Sequence, residues 1–238
     1  MYRSSRSTPR VTHNPSHTGS TFLKMRTADD WDGFGQRVTG SGTTYLRHVR
    51  VEAEEVVLES ESSYFSQPYP GAVPQLILTA INAGILQTVL RDAGSLVRGR
   101  RRSFSHAPTE RPADDPILQQ IVGQIAGDAF AAEATVLAAA DALDRVDAAR
   151  GSQHFEAALH EAALLASKAK VVVDDLVLRA AGKLLDVGGA SATRAGQNLD
   201  RHWRNARTLA AHNPTPYKAS AVGDHAINGT KLPANGFF

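Results

Sequence analysis

The sequence predicts a mainly α-helical protein: a four-helix C-terminal bundle with a partial β-domain before it. Three observations carry this prediction. Long stretches with apolar residues at helical spacing follow the prolines at positions 68, 70 and 74. Glycines or an Asn-Pro pair end these stretches, and a short alternating segment precedes the prolines. Apolar residues every three to four positions indicate helices, whereas strict alternation indicates a strand.

The four helices are predicted over residues 71–102, 115–149, 152–188 and 197–211. Asp115 before Pro116 is typical of a helix start, and Ser152 is a good N-cap. Gly188-Gly189 and the Asn-Pro pair at 213–214 are stop signals. Three of these helices have more than about 30 residues, which gives each a length of roughly 45 Å or more. Such helices, joined by short loops, favour an antiparallel bundle, which we assign to residues 71–238.

Two segments precede the bundle. Residues 1–30 are rich in Ser, Thr, Arg, His and Pro and lack periodicity, which predicts a disordered or loosely attached arm. Residues 31–70 form the predicted partial β-domain. Glycines recur there from Gly33 to Gly42, and alternation runs from Thr44 to Val51. That pattern indicates a glycine-rich turn followed by one or two strands.

The composition excludes several classes of protein. The chain has 238 residues, no cysteine and a net charge of +2. Disulfides, thiolate metal sites and a cysteine nucleophile are therefore excluded, and the charge is too small for a dedicated nucleic-acid binder. No uninterrupted apolar run of about 18 residues occurs, and the basic N-terminus lacks the apolar segment of a secretory signal. We therefore expect a cytoplasmic protein that neither spans a membrane nor binds nucleic acid.

The third predicted helix is apolar around much of its circumference. Leucines and valines cover more than one face, and alanines between them allow close approach. A helix of this kind needs neighbours on several sides. We therefore expect the chain to form a homo-oligomer.

Two segments resemble one family. Residues 30–44 read DWDGFGQRVTGSGTT, and Gly188-Gly189 is followed by DRHWRNAR at residues 200–207. The first resembles the glycine-rich turn in the middle β-domain of the acyl-CoA dehydrogenase superfamily, and the second resembles its last flavin-side motif. The resemblance covers about residues 28–238 and implies that superfamily's helical bundle and a dimer of dimers. The superfamily's first helical domain and the first half of its β-domain are not visible, so we expect a chain truncated at its N-terminus.

One position separates dehydrogenases from oxygenases in this superfamily. Many of its dehydrogenases carry a glutamate base in the segment that reads Ala-His-Asn-Pro-Thr here, and Asn213 stands at the position of that base. A side-chain amide does not accept a proton at neutral pH. An acyl-CoA dehydrogenase is therefore disfavoured, although some members carry their base on another helix.

The C-terminal residues resemble instead the two-component flavin monooxygenase branch, which includes dibenzothiophene monooxygenases and sulfur-acquisition oxidoreductases. The resemblance rests on RHWRNAR, the following His-Asn-Pro, Tyr217-Lys218 and residues 226–229. It implies reduced FMN, with FAD as the alternative, supplied by a separate NAD(P)H:flavin reductase. It also implies a flavin C4a-hydroperoxide that transfers one oxygen atom to a small organosulfur or aromatic substrate. His212 and Asn213 are the implied catalytic residues, the imidazole donating a hydrogen bond or a proton to the peroxy group.

A reduced flavin requires cations and backbone donors around its phosphate. Arginines cluster at the end of the first predicted helix, and the resemblance implies that one of the last two, before an aromatic residue, reaches the phosphate. The Gly-Gly pair and the serine after the third helix offer backbone N–H groups to an anion. The cofactor-binding candidates are Arg101, Arg102, Phe104, Gly188, Gly189, Ser191 and Arg204. No Gly-x-Gly-x-x-Gly follows a strand, so we expect no nicotinamide site on this chain.

Plainer interpretations remain open for the same residues. The arginines also suit a solvated helix end, and His212 also suits a helix C-terminus, where the dipole favours a cation. Roles within the bundle are expected for Arg201, His202, Trp203, Arg204 and Arg207, with the tryptophan as a core anchor. His154 and His160 lack the spacing of a zinc motif, so no metal site is expected. The alternative functions are a catalytically inactive truncated homologue that acts as an oligomerisation or binding module, and an acyl-CoA dehydrogenase.

Overall fold

The computed structural model describes residues 24–56, 58, 68–236 and 238. Residues 1–23 of the predicted arm lie outside these described residues. The chain divides into two units, one containing residues 24–30 and 41–56 and the other containing residues 31–40 and the described residues from 58 onward. Residues 31–40, which we expected in the partial β-domain, therefore belong to the helical unit.

The smaller unit contains an antiparallel pair of strands, β1 (Lys24–Thr27) and β2 (Thr44–Arg47). Beside the pair, the Asp30 carboxylate accepts hydrogen bonds from the backbone N–H and the hydroxyl of Thr43, both at 2.7 Å. These bonds lower the pKa of Asp30. A strand at Lys24–Thr27 corrects the expectation of an arm there, because pairing with a segment distant in sequence orders residues that show no local periodicity. The predicted alternation from Thr44 gives a strand only to Arg47, since His48 takes a left-handed conformation with φ of 50°.

Five α-helices form the larger unit within its described residues. They are α1 (Ala72–Gly99), α2 (Pro116–Ala148), α3 (Phe155–Gly188), α4 (Arg201–Ala211) and α5 (Thr215–Asn228). The mainly helical fold and the three long helices are confirmed. Asp115 caps α2 as expected, since its carboxylate accepts the backbone N–H of Ile117 at 2.9 Å. By contrast, α3 begins three residues after Ser152, because the serine hydroxyl accepts the backbone N–H of His154 in a turn before the helix.

The C-terminal helices differ more from the prediction. The predicted start of the fourth helix near Gln197 lies in a 3₁₀ turn, and Asn198, with φ of 47°, separates that turn from α4. The predicted stop at Asn213-Pro214 is correct, because Asn213 has φ of 52°. α5 follows at once and was not predicted. Its second residue, Pro216, lies in the first turn, where a helix does not need that backbone N–H.

α3 is the central helix of the larger unit. It packs against α1, α2, α4 and α5. Its Val173, Val177 and Leu184 are fully buried, as are Leu86 of α1 and Ile125 of α2. The wide apolar surface of α3 is therefore covered by helices of the same chain, which corrects our use of this helix as a sign of oligomerisation.

α1 and α2 are long and apolar enough to span a membrane by length and composition alone. α1 packs against both α2 and α3 and buries Leu86, Val89 and Ala93 completely. α2 leaves Phe130 75% exposed and Leu137 57% exposed. α2 therefore carries an apolar face that no described part of the chain covers.

Candidate functional site

The end of α3 and the end of α1 meet at a small cavity of about 170 Å³, which we call the corner cavity. Gly188 and Ser191, two of the predicted cofactor-binding residues, line it. Arg100 and Arg194 line it as well. The lining therefore combines two arginines and a serine with two glycines, Gly99 and Gly188, and such groups suit an anion.

Gly189 lies beside this cavity in a conformation that requires glycine. Its φ is 60° and its ψ is −158°, a region that other residues rarely adopt. A Cβ atom there would also lie 3.1 Å from the ring of Phe104. Gly189 and Phe104, two of the predicted cofactor-binding residues, therefore lie next to each other, and the loop that follows α3 takes its direction from this glycine.

Arg100 anchors the corner cavity to both helices. Its Nη1 donates a hydrogen bond to the carbonyl of Val187 at 2.9 Å, and its guanidinium lies 4.1 Å from the ring centre of Phe104. Arg101 and Arg102, the arginines named from the resemblance, are both exposed and do not line this cavity. Arg100 and Arg194 were not among the predicted cofactor-binding residues. Arg194 could have been predicted as a candidate, because it lies only five residues after Gly189 in the sequence.

Arg204, a predicted cofactor-binding residue, makes hydrogen bonds within the chain. Its guanidinium donates to Asp200 at 2.9 Å, to Asn198 at 2.8 Å and to the carbonyl of Phe34 at 3.1 Å. The ring of Phe34 stacks on Trp203 with 6.0 Å between ring centres. Trp203 remains 42% exposed, so it is not the expected core anchor. Arg204 and Trp203 thus attach residues 31–40 to α4, which agrees with the plainer interpretation of Arg204.

Arg201 and His202, for which we expected roles within the bundle, share one acceptor on α1. His202 Nε2 and Arg201 Nη2 lie 2.8 and 2.7 Å from the same carboxylate oxygen of Asp92. Burial alone would raise the pKa of Asp92, but these hydrogen bonds outweigh it and lower that pKa. Burial lowers the pKa of His202, against the opposing effect of Asp92. The three side chains therefore join α4 to α1.

His212 and Asn213 form the turn between α4 and α5. His212 is exposed, and its backbone N–H donates to the carbonyl of Leu209 at 3.1 Å. Asn213 lines a second cavity of about 410 Å³ against α5 and the C-terminal residues, which we call the tail cavity. Within the part of the chain that the structure describes, His212 does not line either cavity. The two predicted catalytic residues are thus adjacent, but only the amide faces a cavity.

A buried carboxylate holds this turn in place. Asp174 of α3, which is 3% exposed, accepts hydrogen bonds from Lys170 at 2.8 Å, Asn82 at 2.8 Å and Thr215 at 2.6 Å. Lys170 also donates to the carbonyl of Ala210 at 3.5 Å. The residues on either side of the turn are therefore tied to α3. This pair was not predicted, although Lys170 and Asp174 are one helical turn apart on α3.

Lys218 is a further buried charge that the sequence analysis did not select as a site residue. It is 3% exposed, lines the tail cavity, and holds its Nζ 3.6 Å from the ring centre of Phe238. Burial, with a smaller contribution from the charge of Lys170, lowers the pKa of Lys218 to about 8.

The described residues contain no cluster of three or more His, Asp or Glu side chains placed to hold a metal ion.

The geometry defines a helical domain in which three long helices support the corner cavity at one place and the turn between α4 and α5 at another. The profile of the family described as "Acyl-CoA dehydrogenase, C-terminal domain" matches residues 76–216. The chain belongs to this family.

The related proteins of this chain are named as monooxygenases. A dibenzothiophene monooxygenase from Mycolicibacterium goodii is 30% identical over 220 residues, which cover 88% of this chain and 51% of that protein. A probable FMNH2-dependent monooxygenase, SfnC, from Pseudomonas putida is 31% identical over 226 residues, which cover 93% of this chain and 55% of that protein. The chain therefore spans about half the length of these relatives.

Solved structures show the same fold. The methanesulfinate monooxygenase MsuC from Pseudomonas fluorescens superposes with a TM-score of 0.81 at 28% identity, over 90% of this chain and 55% of that one. The FMN-bound form of TdsC from Paenibacillus sp. A11-2 gives a TM-score of 0.77 at 26% identity, over the same shares of the two chains. The resemblance stated from the sequence is confirmed at the level of family and fold.

Proposed function

We propose that this chain acts in reduced-flavin-dependent monooxygenation. In this proposal a separate NAD(P)H:flavin reductase supplies reduced FMN, and a small organosulfur or aromatic compound receives one oxygen atom. The observation that carries the proposal is the corner cavity, which Arg100, Arg194 and Ser191 line together with Gly188 at the end of α3. The names of the relatives support the same chemistry, including the FMNH2-dependent monooxygenase and the FMN-bound TdsC.

The residues of the corner cavity fit the phosphate end of a flavin. The two arginines supply positive charge, and Ser191 supplies a hydroxyl donor. Gly188 and Gly189 keep the backbone free of side chains, and a Cβ on the second would lie 3.1 Å from the ring of Phe104. A cavity of about 170 Å³ is smaller than the usual range for small-molecule sites, about 300–1,000 Å³, so we assign it to the phosphate rather than to the whole cofactor. Arg101 and Arg102 follow Arg100 directly in the sequence, and both are exposed to solvent. We assign them to the same phosphate region.

When bound, reduced flavin supplies the electrons that activate dioxygen for transfer. The turn between α4 and α5 supports oxygen transfer rather than dehydrogenation. Asn213 stands at the position of the dehydrogenase base, and an amide does not abstract a proton at neutral pH. We assign His212 the role of donating a hydrogen bond or a proton. The His212 side chain is exposed in the single chain. The proposed role therefore requires that bound ligand or a second copy of the chain covers this side chain.

We further propose that the chain forms a homo-oligomer, as a dimer of dimers, in the cytoplasm. Exposed residues at helical spacing on α2 support this proposal; they are Gly123, Gly127, Phe130, Ala134 and Leu137. A Cβ on either glycine would meet no atom within 4 Å. Small residues allow close approach of another helix, and Phe130 and Leu137 supply apolar area to bury.

Oxygen transfer is tested by coupling the chain to an NADH:flavin reductase with FMN, oxygen and either dibenzothiophene or methanesulfinate. We expect an oxygenated product that depends on the chain. The His212→Ala variant should lose product by about 10²-fold or more, because general acid catalysis typically contributes this much. The matched control, His154→Ala, removes another exposed histidine and should retain activity.

Two outcomes would contradict the proposal. Flavin binding without any product would favour the inactive oligomerisation or binding module. Reduction of bound oxidised flavin by an acyl-CoA would favour the dehydrogenase.

A further inference from the structure

Lys218 is a buried cation without a counter-ion among the described residues. The other buried lysine, Lys170, is paired with Asp174 at 2.8 Å, whereas no described carboxylate forms an ion pair with Lys218. Its ammonium instead faces the ring of Phe238. A buried charge is costly unless a partner of opposite charge compensates it. This position therefore favours a negatively charged group from outside the chain.

The tail cavity gives such a group a place to bind. Its volume of about 410 Å³ falls within the usual range of small-molecule sites, about 300–1,000 Å³. Polar groups from Asn213, Tyr217 and Ser220 line it together with apolar residues. Asp224 also lines the cavity, and its carboxylate accepts a hydrogen bond from Asn228 at 2.6 Å. Lys218 is the positively charged residue of this lining.

A second unmatched donor lies close to Lys218. A small inner cavity is lined by both Lys218 and Gln75, and Gln75 Nε2 is buried without a hydrogen-bond partner in the described chain. Phe238 borders this inner cavity as well as the tail cavity. The inner cavity is only about 10 Å³ and Gln75 does not line the tail cavity, so of these two unmatched donors Lys218 alone lines a space large enough for an organic ligand.

We propose that the tail cavity is a binding site for a small organic oxyanion, a carboxylate, sulfinate or sulfonate, with Lys218 as its counter-ion. The apolar part of the ligand would contact the prolines and Phe238 of the lining. This site is separate from the corner cavity and does not depend on the proposed flavin chemistry.

The test is isothermal titration calorimetry without flavin, with benzoate and benzenesulfonate as probes and benzamide as a neutral isostere. The wild-type chain should bind the two anions and not benzamide. Lys218→Met should weaken binding of the anions at least tenfold, whereas Lys218→Arg, which keeps the charge, should retain most of it. Lys168→Met removes an exposed lysine of α3 and should change nothing.

A pH series on the wild-type chain keeps the test decisive if Lys218→Met fails to fold. Affinity for benzoate should fall as the pH rises through about 8, where Lys218 loses its proton. The titratable groups around Lys218 are Lys170, whose charge acts on it and which is paired with Asp174, together with Tyr217, Asp224 and Tyr69, which line the same cavities. Equal affinity for benzoate and benzamide would overturn the proposal. It would also be overturned by affinity that is unchanged across this pH range, or by an absence of anion binding at millimolar concentration.

Discussion

At Asp174, donors from three helices meet one buried carboxylate: Asn82 of α1, Lys170 of α3 and Thr215 of α5. Asp174→Asn removes the counter-ion of Lys170 and should lower the free energy of unfolding by about 3–5 kcal/mol, the usual cost of breaking a buried pair. Asp175→Asn, the matched control, changes an adjacent exposed carboxylate paired with Arg179 and should cost less than about 1 kcal/mol. Urea denaturation measures both. Equal losses would show that Asp174 is not the link between these helices.

Some of the residues near the corner cavity could be predicted from the sequence, and others could not. The sequence offered Phe104, Gly188, Gly189 and Ser191 as cofactor-binding candidates, and the structure places these residues near the end of α3. It selected Arg101 and Arg102 rather than Arg100, because a run of adjacent arginines contains no signal for which one points inward. The hydrogen bond from Arg204 to the carbonyl of Phe34 could not be predicted either, because the two residues are far apart in the sequence.

Among the connecting elements, the turn after α3 depends most on a special backbone conformation. Gly189→Ala should cost about 1–3 kcal/mol, since φ of 60° with ψ of −158° is strained for alanine and the added Cβ would contact Phe104. Gly182→Ala is the matched control within α3, where the Cβ meets no atom within 4 Å. That substitution should stabilise the chain by about 0.5–1 kcal/mol, because alanine favours a helix over glycine. Thermal unfolding distinguishes the two, and a shift of the same sign in both would contradict this account.

The helices could be predicted to different degrees. The three long ones have uninterrupted apolar periodicity and clear ends, so their existence and approximate bounds were correct. α5 was missed because its sequence has only a weak helical spacing of apolar residues and because it comes directly after the Asn-Pro stop. β1 was missed because its order depends on β2, a partner distant in sequence.

At the scale of the whole molecule, we expect the exposed apolar face of α2, with Phe130 and Leu137, to be the contact between copies of the chain. Phe130→Glu should shift the oligomer toward monomer, because it places a charge where a second copy is expected to pack. Ile117→Glu introduces the same charge on another side of α2, at a residue that is 60% exposed, and should leave the assembly unchanged. Light scattering coupled to size-exclusion chromatography measures the mass. A monomeric wild-type chain, or an unchanged mass for Phe130→Glu, would contradict the proposed interface.

The central proposal is that this chain binds reduced FMN at the end of α3, and the family, the fold and the corner cavity support it. An anaerobic fluorescence titration with reduced FMN tests it most directly. We predict saturable binding, weakened about tenfold or more in Arg194→Gln, since a hydrogen bond to a charged group contributes about 1.5–3 kcal/mol. Arg207→Gln, which removes an exposed arginine of α4, should bind as the wild type does. No binding by the wild-type chain, or equal affinity in all three proteins, would contradict the claim.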